Sequence, residues 1–151
     1  MGSFTVTATG TPAPTITRTG TLPGGVTFAG GVLSGTPGAG TGGTYPLTFT
    51  ASNGAGSDAV QSFTLTVNEA PSLSGAPPSG TVGMGYLHTF TVDGFPTPTL
   101  SLTAGTLPPG LSLVGSTLVG MPTAAGTYSG LTVTASNGVG SPATLDFSIT
   151  I

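Results

Sequence analysis

Thr50-Ala51-Ser52-Asn53-Gly54-Ala55-Gly56-Ser57 recurs as Thr134-Ala135-Ser136-Asn137-Gly138-Val139-Gly140-Ser141, with Val139 in place of Ala55 as the single change. An eight-residue echo of this kind marks an internal repeat. Working outward, the flanking segments repeat in the same order. Gly43-Thr44-Tyr45 returns as Gly126-Thr127-Tyr128, and Gly35-Thr36-Pro37 as Gly120-Met121-Pro122. Gly20-Thr21-Leu22-Pro23-Gly24-Gly25 returns as Gly105-Thr106-Leu107-Pro108-Pro109-Gly110. Pro12-Ala13-Pro14-Thr15 matches Pro96-Thr97-Pro98-Thr99, and Phe4-Thr5-Val6 matches Phe90-Thr91-Val92. The chain therefore reads as two copies of one module, residues 1–68 and 69–151, joined through a short linker at Asn68 to Pro71.

Within each copy the hydrophobic period is two. Tyr45, Leu47, Phe49 and Ala51 alternate with Pro46, Thr48 and Thr50; Phe63, Leu65 and Val67 alternate with Ser62, Thr64 and Thr66. Alternation of this kind makes a half-buried antiparallel strand, apolar side in and threonine side out. Threonine suits the outer face because its branched Cβ favours extended backbone. Asn53-Gly54 and Asn137-Gly138 read as tight turns between two strands. Six or seven short strands per copy, with turn signals every 8–12 residues, imply an all-β chain of two tandem antiparallel β-sandwiches with Greek-key connections. Tyr45 and Tyr128 open the penultimate strands, where a tyrosine hydroxyl ties such a corner, so both are structural. Asn53 and Asn137 are structural as turn residues.

Composition excludes several functions. The 151 residues hold one basic residue (Arg18), four acids, one histidine, and neither cysteine nor tryptophan. Charged residues are 3%, against about 25% in an average soluble domain. One arginine cannot neutralise a row of phosphates, so no nucleic-acid partner is expected. Missing cysteine removes disulfides, zinc–thiolate centres and thiol nucleophiles. Gly and Pro break every apolar stretch well short of the ~18 residues a spanning helix needs, so no membrane insertion is expected. Met1-Gly2-Ser3 lacks the basic and apolar regions of a signal peptide and reads as a start ahead of a fragment of something longer.

The ordered motifs (Leu107-Pro108-Pro109-Gly110-Leu111-Ser112-Leu113, Gly35-Thr36-Pro37, Gly-Thr-Tyr and Thr-Ala-Ser-Asn-Gly) resemble the immunoglobulin-like He-PIG repeat of bacterial surface and secreted proteins. The layout is also similar to cadherin-like domains. The resemblance covers almost the whole chain. It implies Ig-like sandwiches in tandem arrays on extracellular or cell-surface proteins, and it carries no catalytic residues.

Few residues offer chemistry. Glu69 at the junction and Asp93 are the carboxylates a calcium ion would draw on, but calcium asks for six to eight oxygens. Four scattered acids do not supply them, so no metal and no cofactor are expected. His88 shares strand parity with Phe90 and has only Gly2 opposite it in copy 1; it reads as a partly buried strand-entry residue. No acid/base pair recurs, so the chain reads as no enzyme. Tyr86 and Phe95 are the remaining exposed aromatics on which a neutral glycan could stack.

The copies differ in one respect. Ala70 to Thr89 precede Phe90 and supply a first strand, whereas only Met1-Gly2-Ser3 precede Phe4. Copy 1 therefore lacks its first strand and leaves an open edge. The expected function is a non-catalytic spacer, stalk or adhesion module whose partners are neighbouring Ig-like repeats or like chains. The alternatives are a neutral-glycan-binding accessory module, or a fibre subunit that assembles by strand donation.

Overall fold

The computed structural model describes residues 2–151 and contains strands but no helix. Met1, part of the expected leftover start, lies outside the described residues. The chain divides into two compact units, the first ending at Val67 and the second beginning at Asn68.

In the first unit, β1 (Gly2–Thr5), β4 (Val32–Gly35) and β3 (Val26–Ala29) form one antiparallel sheet in that order. A second sheet has the order β2 (Thr15–Thr19), β5 (Gly43–Ser52) and β6 (Ala59–Val67). The core holds Leu33, Leu47 and Phe49, with Val6, Ile16, Leu22, Val26, Phe28, Phe63 and Leu65 packed around them. Alternation along β5 and β6 drives this: Leu47 pairs with Phe63 and Tyr45 with Leu65, all on one face.

The second unit repeats the plan and adds to it. β7 (Glu69–Ser74) pairs with β9 (Thr91–Phe95). β8 (Tyr86–Thr89), β12 (Thr117–Gly120) and β11 (Leu111–Val114) form one sheet; β10 (Thr99–Ala104), β13 (Thr127–Ser136) and β14 (Ala143–Thr150) form another. The buried core is larger: Tyr86, Phe90, Leu111, Leu118, Leu131, Val133 and Ile149. β7 begins at Glu69, so the expected four-residue linker shrinks to Asn68, and Pro71 lies inside a strand.

The Gly-Thr-Pro and Gly-Met-Pro motifs have a steric origin. Gly35 and Gly120 sit at φ 144° and 145°. A Cβ at either would land on the carbonyl oxygen of Gly25 or Gly110 across the hairpin, and an L side chain is strained at that φ besides.

Strand pairing corrects the register read from the Phe-Thr-Val strings. Phe4 pairs with Leu33 in β4, and His88 pairs with Leu118 in β12. Val6 N–H donates to Gly31 O as Phe90 N–H donates to Ser116 O. Phe4 thus occupies the site of His88, and Val6 that of Phe90; His88 is not matched by Gly2, which corresponds to Tyr86. The Phe4 ring, 45% exposed, stacks on Phe63 with centroids 5.1 Å apart.

The Asn-Gly pairs are not two-residue hairpin turns. Ala51 pairs with Ala59, and the connection between β5 and β6 is a loop from Asn53 to Asp58. The asparagine side chain organises that loop, as described next.

Candidate functional site

Asn137 Nδ2 donates two hydrogen bonds of 2.8 Å, one to Pro96 O and one to Glu69 O, and Oδ1 accepts from Val139 N–H at 3.0 Å. Pro96 follows a cis peptide bond, as does its counterpart Pro12. One side chain thereby ties β7, the end of β9 and the loop after β13 together. Asn53 does less: Nδ2 donates to Pro12 O at 2.9 Å and Oδ1 accepts from Ala55 N–H at 3.0 Å. The bond that Asn137 makes to β7 has no counterpart, because the first unit has no such strand.

That difference opens a groove of about 590 Å³ in the first unit. Val6, Ala8, Ile16, Phe49, Ala51 and Ala59 supply its apolar wall, and Asn53 and Gln61 stand among its polar lining. The equivalent wall in the second unit is covered by β7, whose Leu73 pairs with Val92 and packs on the core. Ala135 is fully buried there, whereas Ala51 is only half-buried. Residues 6–10 form no strand, although the equivalents of residues 7–10, Thr91 to Gly94, lie in β9, which pairs with β7. A smaller cleft of about 190 Å³ is lined by Gly2, Phe4, Val26, Leu33, Pro37 and Leu65. In the second unit the equivalent of Gly2 is Tyr86, whose ring is part of the core with Leu111, Leu118 and Ile149.

Tyr86 is therefore not an exposed aromatic. It is 7% exposed, its hydroxyl donates to Pro78 O at 2.7 Å, and burial pushes its pKa above the usual tyrosine range. The segment after β7 folds over the ring: Gly80 N–H donates to Thr150 O, and Gly80 packs so closely that a Cβ would meet Tyr86 Cδ2 at 3.0 Å. Phe95 is half-buried in β9 opposite Glu69. The two rings belong to different sheets and make no common platform.

Glu69 and Asp93 lie on the paired strands β7 and β9, opposite Phe95 and Ser72 respectively. Among the described residues, no three His, Cys, Asp or Glu side chains gather as a metal site would require. Asp146 lies on the exposed side of β14 and accepts from the Thr132 hydroxyl at 2.7 Å. The Tyr45 hydroxyl donates to Thr41 O at 2.7 Å and that of Tyr128 to Ala124 O at 3.3 Å, each four residues upstream. His88 stands edge-on to Phe90, centroids 4.8 Å apart, with Nε2 buried and without a hydrogen-bond partner. No described helix is long and apolar enough to cross a membrane.

The He_PIG family, described as "Putative Ig domain", matches residues 2–68 and again 70–151. Among solved structures, the complex of Dpr2 Ig1-Ig2 with DIP-Theta Ig1-Ig3 is similar at 18% identity and TM-score 0.61, over 99% of this chain and 58% of that one. The mouse nectin-like molecule 4 ectodomain (Ig1-Ig3) is similar at 21% identity and TM-score 0.51, over 92% of this chain and 55% of that one. At these identities the likeness is one of fold, and this chain spans little more than half of either structure's length. No curated protein matches the sequence.

Proposed function

The chain belongs to the He_PIG family of Ig-like domains, and from that premise we propose that it acts as a non-catalytic spacer or adhesion module within a larger extracellular or cell-surface protein. The observation that carries the reading is the distribution of chemistry. Among the described residues, Glu69, Asp93 and Asp146 sit on paired strands, Tyr45 and Tyr128 tie corners, Tyr86 packs in the core and His88 on Phe90, and neither cleft of the first repeat is lined by the acid or histidine that acid/base work requires. The same sandwich is instead built twice, with Asn68 alone between the last strand of one and the first strand of the next. Such an array sets a distance and offers neutral, hydroxyl-rich sheet faces to neighbouring repeats. The likeness to Ig ectodomains, one of them held in an Ig–Ig complex by its own description, supports partners of that kind over small ligands.

The test is display of the chain between a cell anchor and a reporter, with one repeat and with two. Accessibility of the reporter should rise with repeat number, and a neutral-glycan array should retain nothing. Retention of a glycan would replace the spacer reading with that of a binding module.

A further inference from the structure

We propose that Arg18 keeps the free edge of β2 from pairing with a second copy of this chain, and that a one-residue bulge does the same for β10 in the second repeat. β2 and β10 are equivalent strands, each at the end of its sheet with a partner, β5 or β13, on one side only. Such an edge presents unpaired N–H and C=O groups to any other strand. A further strand ahead of Gly2 would not cover it, since β7 pairs with β9 and leaves β10 at the end of its sheet.

Arg18 is the one basic residue of the sequence, and it stands on the core side of its strand. It pairs with Phe49, a buried core residue, shares the parity of Ile16, and is half-buried. Its Nη1 donates to Gly20 O just past the strand's end. In β10 the same position, opposite the buried Val133, is taken by Leu102, which packs on the core. A leucine therefore fits this site in the sandwich. Solubility alone would be served as well by a charge on the outward face, where Thr15, Thr17 and Thr19 are exposed.

The second repeat carries a different device. Five residues separate Thr99 from Gly105, whereas four separate Thr15 from Gly20. The two glycines mark the same corner, each so close to a facing carbonyl, Gly130 O or Pro46 O, that a Cβ would overlap it. The extra residue is absorbed as a bulge. Pairing runs without a shift from Thr15 to Thr19 but slips between Leu102 and Ala104. Thr103 is left out of the ladder; its hydroxyl donates to Thr132 O at 3.3 Å and lies 2.8 Å from the Thr134 hydroxyl. A bulge bends a strand and spoils it as a template. The straight edge thus carries the charge, and the bulged edge carries leucine.

Two copies meeting β2 to β2 illustrate what the arginine prevents. Antiparallel pairing centred on Thr17 sets Ile16 opposite Arg18 twice over, all on the inward face. The two guanidinium groups then stand diagonal to each other, and both lose water as the joined sheets close over them. With leucine at that position the same seam is apolar.

The test compares Arg18→Leu with the parent chain by light scattering from about 10 μM to about 1 mM. At the top of that range its weight-average mass should exceed the parent's by at least about 1.5-fold, with exchange of the residue 15–19 amides slowed about tenfold. Arg18→Met, which keeps an unbranched stem, should do the same. Arg18→Lys keeps a cation at the inward position and should match the parent. Arg18→Leu with one alanine inserted between Thr19 and Gly20 reproduces the spacing of the second repeat and should also match the parent. The proposal is overturned if neither uncharged variant outgrows the parent, or if growth leaves residues 15–19 unprotected. It is equally overturned if Arg18→Lys associates as Arg18→Leu does, or if the inserted alanine fails to reverse the association.

Discussion

His88 carries a buried ring nitrogen with no partner, in a chain where most buried polar atoms are paired. An orphaned buried group costs about 1–3 kcal/mol, and the equivalent residue in the first repeat is the apolar Phe4. His88→Leu, which keeps bulk and removes the orphan, should stabilise the second repeat by about 1 kcal/mol, a rise in Tm of about 4–8 °C. Thermal denaturation followed by near-UV signal or calorimetry reads it. Tyr86 gives a pH dependence. Its folded-state pKa is raised by burial, so the unfolded chain ionises first. The stability it contributes is complete below about pH 10 and is lost as pH rises through the folded value. Tyr86→Phe should flatten that alkaline loss in the second repeat, at the expense of the bond to Pro78 O; a urea midpoint measured from pH 8 to 11 in both proteins separates the two effects.

At the scale of elements, the two asparagines set a controlled comparison. Asn137 holds two carbonyls and Asn53 one. At about 1 kcal/mol per bond, Asn137→Ala should destabilise its repeat by about 1 kcal/mol more than Asn53→Ala does its own, by denaturant midpoints at constant slope. Equal losses would mean that the bond to Glu69 O contributes nothing. The strands themselves were legible in the sequence because apolar residues recur at every second position over Tyr45–Ala51, Phe63–Val67 and Ala143–Ile149, with Thr, Ser, Pro or Asp between them. The asparagines' work was not, since their partners lie 41 and 68 residues away in sequence and an Asn-Gly pair signals a tight turn by local rules. Matching Phe4-Thr5-Val6 to Phe90-Thr91-Val92 slipped the register by two residues for a similar reason: identical letters outweighed strand pairing, which only the hairpins around Leu33 and Leu118 determine. Tyr86 escaped because its burial depends on residues 75–85 folding back over the ring, and no period in that Gly/Pro-rich stretch announces it.

For the whole molecule, the two repeats share a plan and differ in completeness. The first packs three buried residues, Leu33, Leu47 and Phe49, at its centre, whereas the second adds β7 and a larger buried set. A small sandwich with an open edge buries less of its apolar surface and unfolds at lower cost. The unequal starts of the copies, Ala70 to Thr89 ahead of Phe90 against Met1-Gly2-Ser3 ahead of Phe4, were legible in the sequence; the groove beside residues 6–10 and the asparagine at its end needed the fold. With 3% charged residues, neither repeat's stability should respond much to added salt. The most direct test is native-state hydrogen exchange resolved by residue on the intact chain. Amides of residues 91–95 that pair with β7 should exchange only on opening of the second repeat, while those of residues 7–10 should exchange at least about a hundredfold faster under the same conditions. Equal protection of the two segments would contradict an empty first-strand site, and with it the reading of the first repeat as a sandwich that lacks one strand.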